Sequence, residues 1–131
     1  MENNFKLEII NPEEIIFSSN VKTATFPSYE GDMSILKNHI PIITFLRPGL
    51  IRIKKNGENN EEFFIQDGTV EFFNDILVIL SSSAISTKNL SKQFIDNLNA
   101  ETNEKLSKKD INDRERYILN HQLDVLKEIS A

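Results

Sequence analysis

Short apolar runs alternate with polar residues through the first two thirds of the chain. In the first run, Phe5, Leu7 and Ile9 alternate with Lys6 and Glu8, and a period of two is typical of a β-strand with one buried face. Runs of the same kind recur as far as residue 80. The pattern predicts strands at residues 5–10, 14–17, 21–26, 50–54, 62–66, 69–73 and 76–80.

Turn-forming residues separate these runs. Asn11-Pro12 is predicted to end the first strand, because proline donates no hydrogen bond to a sheet. Ser18-Ser19-Asn20 is predicted to separate the next two strands. Residues 57–60, Gly-Glu-Asn-Asn, indicate a hairpin turn because glycine and asparagine tolerate a positive φ. Short strands with polar turns between them predict an antiparallel sandwich or barrel.

The pattern becomes helical near the end of the predicted strands. Asn89 is predicted to cap a first helix, in which Leu90, Phe94, Ile95 and Leu98 recur at spacings of three and four. A period of this kind places apolar side chains on one face of a helix. The first helix is therefore expected to pack by a narrow apolar stripe.

A polar connector at residues 107–110 precedes a second helix, which Asp110 is predicted to cap. The apolar stripe of this helix consists of Ile111, Ile118, Leu119, Leu123, Leu126 and Ile129. Two helices joined by a short polar loop pack antiparallel. The sequence therefore predicts a mostly β plus α fold, with an N-terminal antiparallel β-sandwich at residues 1–86 and a C-terminal two-helix antiparallel hairpin at residues 87–131.

Composition excludes several classes of site and partner. The chain has 131 residues, no cysteine and a formal net charge of −5. Disulfides, cysteine-ligated metals and nucleic-acid binding through basic surface are therefore not expected. The polar N-terminus predicts no signal peptide. The longest apolar runs are too short to span a bilayer, so membrane contact is expected only through partners.

Candidate catalytic groups are few. His39, near Asp32 in the sequence, could act as a base with an orienting carboxylate, but no nucleophile or oxyanion feature accompanies the pair. A loop histidine in a polar turn is the favoured interpretation. His39 and His121 are too few for a histidine metal triad, and the glycines form no phosphate-binding loop. We therefore expect no catalytic, cofactor-binding or metal site.

Arg114 and Arg116 form a basic cluster around Glu115 on the predicted second helix. The cluster could contact an acidic partner. It could equally be a charged helix face with weak local ion pairs. The residues themselves leave both interpretations open.

The segment from Phe26 to Ile43 resembles the signature of the epsilon-subunit family of F-type ATP synthases. The matching residues are Glu30, Gly31, Ile35, Leu36, His39 and Pro41, and the following Pro48-Gly49 also fits. The chain departs from the family pattern at Ser34, Lys37-Asn38 and Asp67-Gly68. The resemblance covers the predicted sandwich, and the two-helix tail agrees in length and position.

The resemblance implies a non-catalytic subunit at the foot of the central stalk, which couples proton flow through the c-ring to rotation and ATP synthesis. It also implies a peripheral location on the cytoplasmic face of a bacterial inner membrane. Carried over by position, Glu30, Gly31 and Asp32 would face the c-ring, and Asn11, His39 and Thr44 would contact the gamma subunit.

The resemblance further implies that the hairpin folds on the sandwich or extends to the catalytic alpha and beta subunits, where it blocks ATP hydrolysis. Arg114 and Arg116 would then contact the catalytic head. Some family members bind ATP through an I-D-x-x-R-A motif, and the corresponding run here begins at Ile111. Asn112 replaces the acidic residue and Glu115 the arginine. A carboxylate at that position repels phosphate, so weak or absent ATP binding is expected.

Two alternatives stay open from the residues alone. One is a generic adaptor with the same fold that serves another complex. The other, from a different class, is a small hydrolase that uses His39 and Asp32.

Overall fold

The computed structural model describes residues 3–57 and 60–130 of the chain. The strands are β1 (Phe5–Ile10), β2 (Ile15–Val21), β3 (Thr23–Ser28), β4 (Gly31–Ile35), β5 (Ile42–Leu46), β6 (Gly49–Lys54), β7 (Asn60–Ile65), β8 (Gly68–Phe73), β9 (Ile76–Leu80) and β10 (Ile85–Ser86). A short 3-10 helix, Thr87–Asn89, leads to α1 (Lys92–Leu106) and α2 (Asp113–Ser130). The predicted class, a β-sandwich followed by a helical hairpin, is confirmed.

The strands form two halves that meet at a narrow junction. One half has the order β10-β7-β6-β3 with β4 beside β3, and the other has the order β5-β8-β9-β1-β2. A single pair of residues, Ser28 and Leu46, is recorded between β3 and β5. Pairing is antiparallel throughout these strands except between β1 and β9, which run parallel.

One apolar core lies between the two halves. Leu7 of β1 and Ile51 of β6 are fully buried in it, and they come from opposite halves. The rings of Phe17 and Phe63 contact edge to face across the core, with centroids 5.6 Å apart. Alternation along each strand places these side chains inward, as the period of two predicts.

The predicted turn at Ser18-Ser19-Asn20 is wrong, because β2 continues through it. These three polar residues pair with Glu8, Leu7 and Lys6 of β1. A neighbouring strand thus satisfies the backbone of a segment whose own composition favours a turn. The break lies instead at Lys22, between β2 and β3.

Three strands were not predicted from the pattern of hydrophobic positions. β4 and β5 lie within the segment that carries the family resemblance, and β10 is a two-residue strand that pairs with β7. β4 contains Gly31, Asp32 and Ser34, which have weak intrinsic strand preference, and pairing with β3 holds it in place. Residues 58 and 59 of the predicted hairpin turn lie outside the described residues.

Both predicted helix caps are also corrected by the structure. Asn89 ends the short 3-10 helix, and Ser91 caps α1 by accepting a hydrogen bond from the backbone N–H of Phe94 at 3.0 Å. Asp110 precedes α2 by three residues. The Asn112 side chain takes its place, because it accepts from the backbone N–H of Glu115 at 2.8 Å. In each case a second polar residue nearer the helix provides the better geometry.

We expect Phe72→Ala to destabilise the fold strongly, because Phe72 is fully buried and contacts Phe5 edge to face at 5.7 Å. The loss should be about 3–5 kcal/mol of unfolding free energy. The neighbouring Phe73 is 63% exposed, so Phe73→Ala is a matched control with an expected change of about 0.5 kcal/mol or less. Urea denaturation of both variants measures the difference, and equal losses would contradict the assigned strand faces.

Candidate functional site

The hairpin lies on the outer face of β6 and β7 and forms a second apolar cluster there. Leu50 and Phe64 point outward from these strands and pack with Leu98 of α1 and Leu126 of α2. All four are buried. Between the helices, Gln122 donates to the Thr102 hydroxyl at 2.9 Å, so the polar atoms of this contact are hydrogen-bonded to each other.

Arg47, in the turn between β5 and β6, is the main polar contact between the sandwich and α2. Its Nη1 atom donates to the Tyr117 hydroxyl at 2.8 Å and lies 3.3 Å from Nε2 of His121. Its Nη2 atom lies 4.0 Å from the carboxylate of Asp32. Arg52 of β6 forms an ion pair with Glu128 of α2.

Two tyrosines stack where the β3–β4 turn meets α2. The Tyr29 and Tyr117 rings are 6.3 Å apart at an interplanar angle of 20°. Tyr117 also donates its hydroxyl to the backbone carbonyl of Tyr29 at 3.0 Å. The guanidinium of Arg114 lies 5.4 Å from the Tyr29 ring centroid, a cation–π contact. Arg114 and Arg116 are both exposed to solvent, and Arg114 also contacts the sandwich.

His121 is partly buried in this interface, and its surroundings disfavour the imidazolium. Burial lowers the pKa of His121 below its ordinary value of 6.5, and the nearby Arg47 guanidinium lowers the pKa further. The Asp124 carboxylate acts in the opposite direction and raises this pKa. The net effect is a lowered pKa for His121, which lies between Arg47 and Tyr117, and the Tyr117 ring is edge-on to the imidazole at 4.5 Å.

The predicted c-ring residues lie at the tip of the β3–β4 turn. Ser28 fixes the turn, because its hydroxyl donates to the Gly31 carbonyl at 2.6 Å and accepts from the Glu30 N–H at 3.3 Å. Gly31 has φ +128°, which favours glycine. Glu30 and Asp32 are exposed on either side of it. The turn therefore presents two carboxylates to solvent.

The outer face of β5, β8 and β9 carries exposed apolar side chains. Ile43 is 75% exposed and Phe45 is 63% exposed, although both are large and apolar. Phe73, Ile76 and Leu80 add to the same side of this half. These five side chains form an apolar group on a sheet face that also carries Glu71, which pairs with Ile43. Exposed apolar groups of this kind are typical of interaction surfaces. We call these five residues the outer apolar face.

The predicted gamma-subunit residues lie around this face. Asn11 follows the end of β1, where its side chain accepts from the N–H groups of Glu13 and Glu14 at 2.9 and 2.8 Å. Thr44 lies between two members of the face, but alternation turns it inward, opposite Val70. His39 precedes β5, at the opposite end from Asn11.

The sequence analysis missed the outer apolar face, although β8 and β9 contain a signal for it. Phe72 and Phe73 are adjacent, as are Ile76 and Leu77. Adjacent residues of a strand point to opposite faces. Apolar pairs of this kind show that both faces of the sheet are apolar.

His39 and Asp32 take different partners in the structure. The Nδ1 atom of His39 lies 2.7 Å from the Ile40 carbonyl oxygen, and its ring contacts Phe72 edge to face at 6.0 Å. Asp32 lies beside Arg47 instead. The contacts of His39 thus agree with the structural interpretation favoured above, and the arrangement offers no oriented base of the kind a hydrolase needs.

The search for other sites gives a similar result. Within residues 3–57 and 60–130, no cluster of three or more metal-ligating side chains is found. Neither helix of that part of the chain is long and apolar enough to cross a membrane. An open groove of about 820 Å³ lies at the ends of β1, β5 and β9, bordered by Phe45, Leu80 and Arg114.

The positions that depart from the nucleotide-binding motif form a capping box at the start of α2. Asn112 accepts from the Glu115 N–H, and the Glu115 carboxylate accepts from the Asn112 N–H at 3.4 Å. This reciprocal pair satisfies two free donors of the helix. Glu115 is therefore bound to its own backbone at the position where the motif has arginine, and the expectation of weak or absent ATP binding remains a prediction.

We expect Asn112→Ala to weaken the first turn of α2 by about 1 kcal/mol, because the variant lacks the capping oxygen. Asp110→Ala should change stability by less than about 0.5 kcal/mol, since Asp110 is exposed and lies outside the cap. Amide hydrogen exchange of residues 113–117 compares the two variants. A larger loss of protection in Asp110→Ala would favour the cap predicted from sequence over the one in the structure.

Comparisons with known proteins agree with this architecture. A family model described as ATP synthase, Delta/Epsilon chain, beta-sandwich domain matches residues 4–87. An ATP synthase epsilon chain of Pelagibacter ubique is 41% identical over 132 residues, covering 99% of this chain and 100% of that protein. An ATP synthase epsilon chain of Parvibaculum lavamentivorans is 29% identical over 133 residues, covering 98% and 97%.

Solved structures share the fold. A chain in the Euglena gracilis mitochondrial ATP synthase, a structure of its OSCP, F1 and c-ring, has a TM-score of 0.75 at 17% identity, covering 97% of this chain and 79% of that one. A chain in the central stalk and c-ring structure of the Tetrahymena thermophila mitochondrial ATP synthase has a TM-score of 0.68 at 14% identity, covering 96% of both chains. The family model and the full-length identity together show that this chain belongs to the ATP synthase delta/epsilon family, among its epsilon chains.

Proposed function

We propose that this chain is a non-catalytic subunit of the central stalk of an F-type ATP synthase, where it couples proton translocation through the c-ring to rotation and ATP synthesis. Full-length identity to epsilon chains supports the assignment. The chain would lie peripherally on the cytoplasmic face of the bacterial inner membrane and contact the membrane only through partners. It would work as two units, a sandwich at residues 1–86 and a regulatory hairpin at residues 87–131.

The outer apolar face carries this proposal and would bind the gamma subunit. A surface of this kind is stable in water only when its area is limited or when a partner covers it. Within this face Ile43 is the most exposed side chain, followed by Phe45 and Phe73. Asn11 and His39 at the two ends, with Thr44 between them, would border the same contact.

The β3–β4 turn would contact the c-ring. Glu30 and Asp32 project from a turn that Ser28 holds in one shape. Exposed carboxylates at a fixed position are suited to pairing with basic or amide groups on a partner loop. Gly31, between the two carboxylates, lets the turn approach closely.

We expect Ile43→Glu to weaken capture of the gamma subunit by at least tenfold, because the new carboxylate lies opposite Glu71 on the paired strand and must be desolvated without a partner. Lys54→Glu changes an exposed residue on β6, in the other half of the sandwich, and should leave capture unchanged. A pull-down with gamma from the same organism, followed by titration, measures both. Equal capture by both variants would show that gamma binds elsewhere.

The hairpin would inhibit ATP hydrolysis when it leaves the sandwich and reaches the catalytic alpha and beta subunits. Arg114 and Arg116 are both exposed, and release of the hairpin would free Arg114 from its contact with Tyr29. Both arginines lie in the first turn of α2, where they could pair with acidic groups of the catalytic head. Each helix of the hairpin has only two buried residues, Leu98 and Thr102 in α1 and Gln122 and Leu126 in α2, which favours an equilibrium between two positions.

We expect Arg114→Ala combined with Arg116→Ala to raise ATP hydrolysis by the reconstituted enzyme, as deletion of residues 89–131 should. Replacing two other basic residues of the hairpin, Lys108→Ala with Lys109→Ala, is the matched control. ATPase assays of the four preparations compare them. If deletion leaves hydrolysis unchanged, the inhibitory role is refuted while the stalk role stands. Equal effects of the two double variants would refute a specific role for the arginines.

A further inference from the structure

His121 is placed where its protonation state decides whether Arg47 can bind it. Arg47 donates hydrogen bonds and has no acceptor, so its contact at 3.3 Å requires an unprotonated Nε2 on His121. The same Nη1 atom donates to Tyr117. One guanidinium on the sandwich thus holds two side chains of α2, and one of those contacts exists only while the histidine is neutral.

Several charged groups surround this contact, in a groove of about 180 Å³. The sandwich contributes Asp32, Arg47 and Arg52, and α2 contributes Asp124 and Glu128, with the Tyr117 ring against the imidazole. Arg52 already binds Glu62 at 3.2 Å and Glu128. Asp32 lies against Arg47.

Asp124 is the group that could counteract an imidazolium here. It lies on the same helix, three residues beyond His121. It therefore stays near His121 whether α2 is docked or released. Its attraction for the His121 imidazolium is nearly the same in both positions, so it contributes little to the difference in free energy between them. Burial and Arg47 act on His121 only in the docked hairpin, so these two decide how docking responds to protonation.

We propose that His121 and Arg47 form a pH-sensitive latch, in which neutral His121 accepts a hydrogen bond from Arg47 and holds the hairpin on the sandwich, and protonation of His121 releases it. The latch is a property of the chain by itself and needs no partner. It also goes beyond a role in inhibition, because it states which condition frees the hairpin.

The direction of the effect follows from the pKa of His121 in the two positions. Docking lowers this pKa below 6.5, and release returns His121 to solvent and to its ordinary range. Between the two values the released hairpin binds more protons than the docked one. Docking is therefore strongest above pH 6.5, weakens as the pH falls through 6.5, and levels off below the lowered pKa. Each unit of lowering corresponds to a tenfold change in the docking equilibrium.

The chain contains its own optical probe for this test. It has two tyrosines and no tryptophan, and the two tyrosines, Tyr29 and Tyr117, stack across the interface. Near-ultraviolet circular dichroism of the full chain therefore reports docking. Spectra at about pH 8 and about pH 5.5 span the histidine range while leaving most carboxylates ionised.

We expect the tyrosine signal to fall on acidification in the native chain and to stay constant in His121→Gln, which retains an acceptor but does not titrate. His39→Gln is the matched control, because His39 is the other histidine and lies away from the hairpin. It should behave like the native chain. A constant signal in the native chain, or an equal fall in His121→Gln, would overturn the latch.

If His121→Gln has a low near-ultraviolet signal at both pH values, its hairpin is not docked and a second measurement is needed. Proton NMR titration of the native chain gives the pKa of His121 directly. The variant Leu126→Ala removes the main apolar contact of α2 with the sandwich. The latch is supported if the pKa of His121 is below 6.5 in the native chain and returns to the ordinary range in this variant. A value at or above 6.5 in the native chain overturns it.

Discussion

The β6–β7 strand pair is apolar on both of its faces, and both parts of the molecule depend on it. Ile51 and Phe63 point inward to the core of the sandwich, while Leu50 and Phe64 point outward to the helices. Because side chains alternate along a strand, one register fixes both contacts at once. A slip of one residue would exchange the two sets, so the position of the hairpin is determined by the strand pairing beneath it.

The apolar and polar parts of the hairpin contact have different roles. Leu126 and the residues it packs against, Leu50, Phe64 and Leu98, are buried and supply an apolar attraction that involves no titrating group. Arg47, Tyr117 and His121 lie at the side of that cluster, where exposure makes each contribution small. Small polar contributions to the docking free energy suffice to select the docked or the released position when the apolar contribution leaves the two nearly equal in free energy.

Much of the fold could be predicted because its main strands alternate cleanly, as residues 5–10 and 50–54 do. The failures occurred where local preference competed with neighbours in space. Ser18 to Asn20 favour a turn, yet β1 provides partners for their backbone. Asn89 and Asp110 are good capping residues, but Ser91 and Asn112 are better placed, and composition alone cannot rank two caps that lie so close together.

The candidate site was predictable only in part. The resemblance selected the β3–β4 turn, and the structure shows Glu30 and Asp32 exposed there. Arg47 had no signal in the sequence, because its importance comes from contacts with residues far along the chain, Tyr117 and His121. Long-range pairing of this kind follows from the packing of two elements, which spacing along one chain does not reveal.

The parallel pairing of β1 with β9 has a consequence for synthesis on the ribosome. The first strand made cannot complete its sheet until Ile76–Leu80 has emerged, because β9 lies between β1 and the rest of its half. Contacts between distant segments form late for the same reason. The hairpin emerges later still, so Leu50 and Phe64 stay uncovered on a finished sandwich until α2 arrives. Each new molecule therefore passes through a stage in which the sandwich is folded and the surface that seats the hairpin is open to other proteins in the cell.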